Sequence, residues 1–308
     1  MERKDRIDAI GAAVLFGFSI LMGFNQVMIK LVNAGFSPVF QAGLRSALAL
    51  FPVVLFALFM RRKLTLRDGS LFPGMFSGTL FAVEFMLLFT ALEYTAVSRA
   101  SVFMYTMPVW VAIGAHFLIP GEHLTPRRAF GLLLAVAGVG VALLDEAPSW
   151  TPNAFLGDMM CIAGAICWAG IALTARTTKL SQSTPEMQLT YQLVVSAPIL
   201  LALALYLGSP IREPTATILG IFAFQVIVVV GIGFLSWFAI LRIYPASDMT
   251  SFSFLAPLFG VLASWIVLDE ELSPSIFLAL AMVGGGIFLI SWRRKPVLAA
   301  SPSQLTER

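Results

Sequence analysis

The sequence predicts an all-α integral membrane protein: ten transmembrane helices in two inverted five-helix repeats, with both termini cytoplasmic. Three observations carry that prediction. The composition is too apolar to face water, the apolar runs have membrane-spanning length, and the motif YTAVSRASVFMYTMP at 94–108 has a counterpart, YPASDMTSFSFLAP, at 244–257.

Of 308 residues, 58% are hydrophobic and only 12% are charged, where soluble domains carry about 25% charged residues. Mean hydropathy is +0.88. A helix needs roughly 20 apolar residues to cross the hydrocarbon core. Charges and Pro/Gly breaks then divide the chain into spans at 10–32, 38–60, 70–93, 97–119, 127–144, 155–175, 187–208, 216–241, 248–268 and 274–292. The basic start MERKDRIDAI leads into an apolar run reaching Val32. A cleavable signal has an apolar core of only about 7–15 residues, so 10–32 is read as a retained span. Three spans are irregular. The second contains Arg45, the third contains Glu84, and the fifth is short, bounded by Arg128 and Asp145.

Orientation follows from the basic residues of the connections. With the N-terminus inside, cytoplasmic segments hold 16 Lys and Arg; the outer side holds three, Lys30, Arg99 and Arg212. The net charge of +3 is therefore spent at helix ends and gives no reason to expect nucleic acid.

The repeat rests on different residues. Pro108 aligns with Pro257, and the connections LIPGEHLTP and VLDEELSP follow at almost equal distances. Gln41 and Arg45 in PVFQAGLRS match Gln188 and Gln192 in PEMQLTYQL. The units are 1–146 and 147–295, followed by a cytoplasmic tail, 296–308. Five spans is an odd number, so the second unit enters the membrane upside-down relative to the first. Inverted repeats are an architecture of secondary transporters, with the binding site near the midplane between the halves.

Pro38 and Arg45 in span two, Pro108 with Glu122 and Pro126, and Pro257 with Glu270 and Pro274 resemble the drug/metabolite transporter superfamily, in particular its ten-helix EamA-type carriers. The resemblance covers nearly the whole chain. Length and aromatic-rich spans are also similar to YddG-type amino-acid exporters. The resemblance implies export of amino acids or related metabolites across the cytoplasmic membrane by alternating access. It also implies a cavity lined by helices one, three and four of each half. Gln192 departs from the pattern, since the first half has Arg45 at that place.

Candidate site residues follow from what is costly in a bilayer. Glu84 is an intramembrane carboxylate, at a depth similar to Arg45. One reading is a structural Arg45–Glu84 ion pair; the other is that Glu84 faces the pathway and takes a substrate ammonium or a proton. Asn25 and Gln26 either join span one to a neighbour or reach the cargo, and Tyr191 and Gln192 pose the same choice. Trp168, Trp237 and Tyr105 lie mid-span, where rings either pack or wall a cavity. Pro108 and Pro257 are matching bend points. Ser98 and Asp248 read as N-caps, and Glu122, Glu270 and Glu271 as loop residues that cap rather than gate. Gly131, Gly138, Gly140 and Gly284 to Gly286 let helices approach, within a bundle or in a homodimer.

Other chemistries find little support. There is no G-x-x-x-x-G-K-[ST] loop for ATP. Cys161 and Cys167 sit six residues apart on one helix, about 9 Å by rise, too far to bridge. No metal or other cofactor is expected. An intramembrane protease would need a Ser–His or Asp–Asp pair at depth, and a channel or passive facilitator would show a filter loop or charged ring. The expected partners are a small-molecule substrate and membrane lipids.

Overall fold

The computed structural model describes residues 8–62, 64–66, 68–144, 153–233, 236 and 255–291. Among these, the regular structure is helical: α1 Ala9–Val32, α2 Pro38–Phe59, α3 Leu71–Tyr94, α4 Val97–Met104, α5 Met107–Leu118, α6 Pro126–Leu143, α7 Ala154–Thr177, α8 Pro185–Leu207, α9 Ala216–Phe224, α10 Leu255–Leu268 and α11 Pro274–Ser291. A short 3-10 turn covers Lys179–Gln182, and a π-helical segment, Gln225–Gly233, continues α9. One isolated bridge, Phe36 to Ile211, is the strand-like pairing found among the described residues.

Eight helical stretches are long and apolar enough to cross a membrane, counting α4 with α5 and α9 with the π segment as one each; α10 and α11 are apolar but shorter. Their starts are written in the sequence. Ser37, Thr125 and Thr184 precede Pro38, Pro126 and Pro185, which pre-set the first helical dihedral. Thr125 and Thr184 also accept backbone N–H bonds from Arg128 and Met187. The predicted eighth and ninth spans run through 234–254, nearly all of it outside the described residues, as is Asp248.

The fourth span is broken at Tyr105–Thr106. Pro108 offers no N–H and its ring crowds the carbonyl one turn back, so α4 stops at Met104 and α5 begins at Met107. Thr106 Oγ1 donates to the Phe103 carbonyl at 2.6 Å and accepts from Trp110 Nε1 at 3.2 Å, which holds the broken turn. Pro257 sits in the first turn of α10, and the residues before Leu255 are outside the described set.

Helices from the two halves interleave. α6 packs on α11, α3 on α7 and α8, α2 on α8 and the π segment, α1 on α10, and α4 on α10. Small residues allow the closest approaches. A Cβ on Gly23 of α1 would fall 2.6 Å from the Gly260 nitrogen of α10, and one on Gly131 of α6 would fall 2.6 Å from the Gly286 carbonyl of α11. Gly131, Gly138 and Gly286 thus serve contact between the halves, whereas Gly140 and Gly284 have open space beside them. Outside this core, Phe51, Phe59, Phe72 and Phe117 are exposed in the way lipid-facing rings are.

The described connections gather in two groups. In one, Lys30 meets Thr95 and Glu270, Ser37 N donates to Pro210 O, and Arg212 N donates to Gly35 O. In the other, Arg176 pairs with Glu122, Arg62 with Glu186, and Ser183 with Asp68.

Candidate functional site

Three helices of the first half bring the intramembrane polar residues together. Asn25 is on α1, Arg45 on α2 and Glu84 on α3, and both charged side chains are buried, at 5% and 6% exposure. The Arg45 guanidinium donates from Nη1 to Asn25 Oδ1 at 3.1 Å. Its central carbon lies 4.8 Å from the Phe85 ring centroid and 5.0 Å from that of Phe89, so the cation rests against two π faces.

The expected Arg45–Glu84 ion pair is not formed: no N–O approach within 4.0 Å joins them, and Glu84 makes no hydrogen bond or ion pair among the described residues. The two act on each other only through space. The physical reason is azimuth. Phe85 and Phe89 occupy the α3 face toward Arg45, and Glu84, one residue earlier, is turned about 100° away around the helix. Glu84 instead lies along α7. A Cβ on Gly164 of that helix would sit 3.8 Å from the Glu84 carbonyl, and Cys167 is within electrostatic reach of the carboxylate.

The remaining sequence candidates separate into two groups. Tyr105, at the break between α4 and α5, meets Trp168 of α7 edge-to-face, with ring centroids 6.0 Å apart. Tyr105 also lines a cavity of about 70 Å³ together with Val102, Pro108, Pro257 and Gly284. Pro108 and Pro257, one from each half, therefore border the same small apolar space.

Gln26, Tyr191 and Gln192 have partners elsewhere. Gln26 Oε1 accepts from Ser101 Oγ at 2.8 Å, joining α1 to α4. Tyr191 is buried against Gly74, with its hydroxyl 3.0 Å from Ser70 Oγ in a cluster with Asp68. Gln192 donates weakly to Ser77 Oγ at 3.5 Å, joining α8 to α3. Trp237 lies outside the described residues.

Two buried contacts were not legible in the sequence, and a third residue, Glu270, caps as expected but on a helix of the other half. Gln225 opens the π segment and accepts from Gln41 Nε2 at 3.4 Å, both residues being fully buried; a lone amide in the run AFQVIVVV was the available signal. Arg99 is buried and bonds Asp158 from Nε and Nη2, the latter at 2.5 Å. Glu270 caps a helix of the other half: it accepts from Val97 N at 2.8 Å, Ser98 N at 3.1 Å and Ser98 Oγ at 3.0 Å. The N-cap of α4 is accordingly Ala96, not Ser98. Among the described residues no group of His, Cys, Asp and Glu could hold a metal.

A bundle of apolar helices, eight stretches of them long enough to cross a membrane, with charges buried in its interior, is a multi-pass membrane protein. The model of the EamA-like transporter family matches residues 9–144 and again 155–292, so the chain belongs to that family. It is 24% identical to the "Probable amino-acid metabolite efflux pump" of Escherichia coli over 96% of this chain and 98% of that one. It is 22% identical to the "Uncharacterized transporter YoaV" of Bacillus subtilis, covering 89% of this chain and 94% of that one. A solved structure titled only "Crystal structure of protein" shares the fold, with TM-score 0.65 at 20% identity over 91% of this chain and 97% of that one. The chain is thus a transporter rather than an enzyme, a multi-pass protein of the cell membrane that handles a small-molecule substrate among lipids.

Proposed function

We propose that the protein is a secondary carrier that moves amino acids or related small metabolites out of the cell by alternating access. Its two five-helix halves, 1–146 and 147–295, are inverted copies, and both termini are cytoplasmic. The observation that carries this reading is the shared cavity between Pro108 and Pro257. The helix break at Pro108 faces Pro257, its counterpart in the repeat, and matched prolines on one space would give a bundle two related ways to bend, one opening each face. The return of the Pro108 motif at Pro257 after an odd number of spans supports inversion, and the 16-to-3 bias of basic residues supports a cytoplasmic N-terminus. The names of two relatives, each "Probable amino-acid metabolite efflux pump", support the cargo and its direction.

Within this reading Glu84 faces the pathway from α3, and Asn25, Tyr105 and Trp168 belong to the same lining. Energy comes from a solute or ion gradient. The test is counterflow in proteoliposomes of the purified chain, preloaded with unlabelled phenylalanine and given labelled phenylalanine outside. A carrier shows saturable accumulation that depends on the preload. Flux that is linear in concentration and indifferent to preload would make the protein a passive facilitator.

A further inference from the structure

Arg45 is a buried cation whose nearest opposite charge does not reach it. Of the five N–H donors a guanidinium carries, one is used among the described residues, on the neutral Asn25. Phe85 and Phe89 cover its faces and leave its donor edges for something else. A charge held in a low-dielectric interior calls for an ionic or strongly hydrogen-bonding partner, and the group that fits a guanidinium fork is a carboxylate.

The surroundings carry further unused polar atoms. Ser46 Oγ, Gln41 Oε1 and Gln225 Nε2 are all buried and have no hydrogen-bond partner among the described residues. Arg45 and Ser46 line one small cavity with Phe85 of α3, Leu189 of α8 and Val230 of the π segment; its volume is about 10 Å³, enough for one water. Gln41 holds Gln225 by its carbonyl end, which leaves the Gln225 amide nitrogen as an unused donor. Gln225 is also where helical register changes from α to π, a feature frequent at functional sites.

We propose that Arg45, Ser46 and Gln225 form the subsite that holds a carboxylate of the cargo, in a state where the π segment and α8 stand further from α2 than they do here. The proposal rests on the carrier reading and narrows it to carboxylate-bearing cargo. Asn25 is a positioning residue that fixes the guanidinium plane.

Two measurements on the purified full chain test it. Thermal unfolding in detergent, with phenylalanine, phenylacetate, phenylalaninamide and 2-phenylethylamine as probes, reads binding without transport. Counterflow competition with the same four probes reads transport. The two acids are expected to raise the midpoint and to compete at least tenfold better than the amide and the amine. Arg45→Gln should bring that ratio close to one, and Arg45→Lys should keep part of it. Ser46→Ala and Gln225→Leu should each reduce it several-fold, which covers the case in which Arg45→Gln does not fold. Equal effects of acid and amide on the wild-type chain would overturn the subsite, as would a ratio unchanged in Arg45→Gln. Acid-specific stabilisation without any counterflow would sink the carrier reading and leave the subsite standing. Neither stabilisation nor counterflow by any probe would sink both.

Discussion

The ammonium of Lys30 and a carboxylate oxygen of Glu270 meet at 3.3 Å, joining the end of α1 to the connection between α10 and α11. The same carboxylate covers the free N–H groups at the start of α4, where the helix dipole favours a negative charge. Lys30 also donates to the Thr95 carbonyl at 3.1 Å. In the other group of connections Arg176 pairs with Glu122, which stands four residues before Pro126 as Glu270 stands before Pro274. The two pairs occupy related places in the repeat but differ in burial: the Glu270 side chain is 8% exposed and that of Glu122 is 25%.

Removing the buried member should cost more. Charge-assisted hydrogen bonds contribute about 1.5–3 kcal/mol each where well buried. Glu270→Ala is therefore expected to lower stability by roughly 2–4 kcal/mol, less than the sum of its bonds because Lys30 keeps water. Glu122→Ala, in a solvated pair, should cost about 1 kcal/mol or less. Unfolding titrations in mixed detergent micelles compare the two; equal losses would contradict the burial difference.

Arg99 and Asp158 make a sharper case, with side chains 4% and 0% exposed. Thr95 Oγ1 adds a third bond to Asp158 at 2.6 Å. Breaking such a pair leaves an uncompensated buried charge, at a cost of about 3–5 kcal/mol. Asp158→Ala should fail to accumulate in membranes. The double variant Arg99→Met with Asp158→Leu should recover much of the folded protein, because two apolar groups replace the pair without a stranded charge. Expression level and monodispersity in detergent are sufficient readouts.

How far the sequence showed this depends on what a given residue reports. Apolar length and the Ser/Thr-Pro starts fix where helices begin and end, so α1 to α8 fall within two or three residues of the spans read from composition. Depth was legible too, which is why Arg45 and Glu84 stood out. Azimuth was not. A step of one residue turns a side chain about 100°, and that separates Glu84 from Phe85 and from Arg45. Burial at span ends was not legible: Arg99, Asp158 and Glu270 are buried, each bonded to a residue of another helix or connection. Tyr191 shows the same gap: its place in the span was correct, while its ring turns to Gly74 and Ser70.

The glycine contacts between α6 and α11 predict a graded response. Gly286→Val would push a branched side chain into the Gly131 carbonyl and Ala135, both backbone-close neighbours. Overpacking of this kind costs about 1–3 kcal/mol or more where backbone cannot yield. Gly140→Ala meets nothing within 4 Å and should be neutral, or stabilise by up to about 1 kcal/mol through helix propensity. Should Gly140→Leu leave folding intact but change the oligomeric state on light scattering, the open side of α6 would be a contact between two copies of the chain.

Glu84 separates a structural role from a functional one. A carboxylate that holds its fold through bonds destabilises the protein when it is removed, but Glu84 has none among the described residues. Glu84→Gln keeps the shape and breaks no bond among the described residues, so stability should stay within about 1 kcal/mol of wild type. Transport should fall by tenfold or more if the carboxylate takes a cargo ammonium or a proton on the pathway. The proton role makes one further demand: counterflow by wild type should vary across pH 5 to 8, and the Gln variant should flatten that profile. A variant that loses stability but transports normally per folded molecule would place Glu84 in the scaffold. An unchanged pH profile with reduced affinity for amines would leave it as the ammonium partner alone.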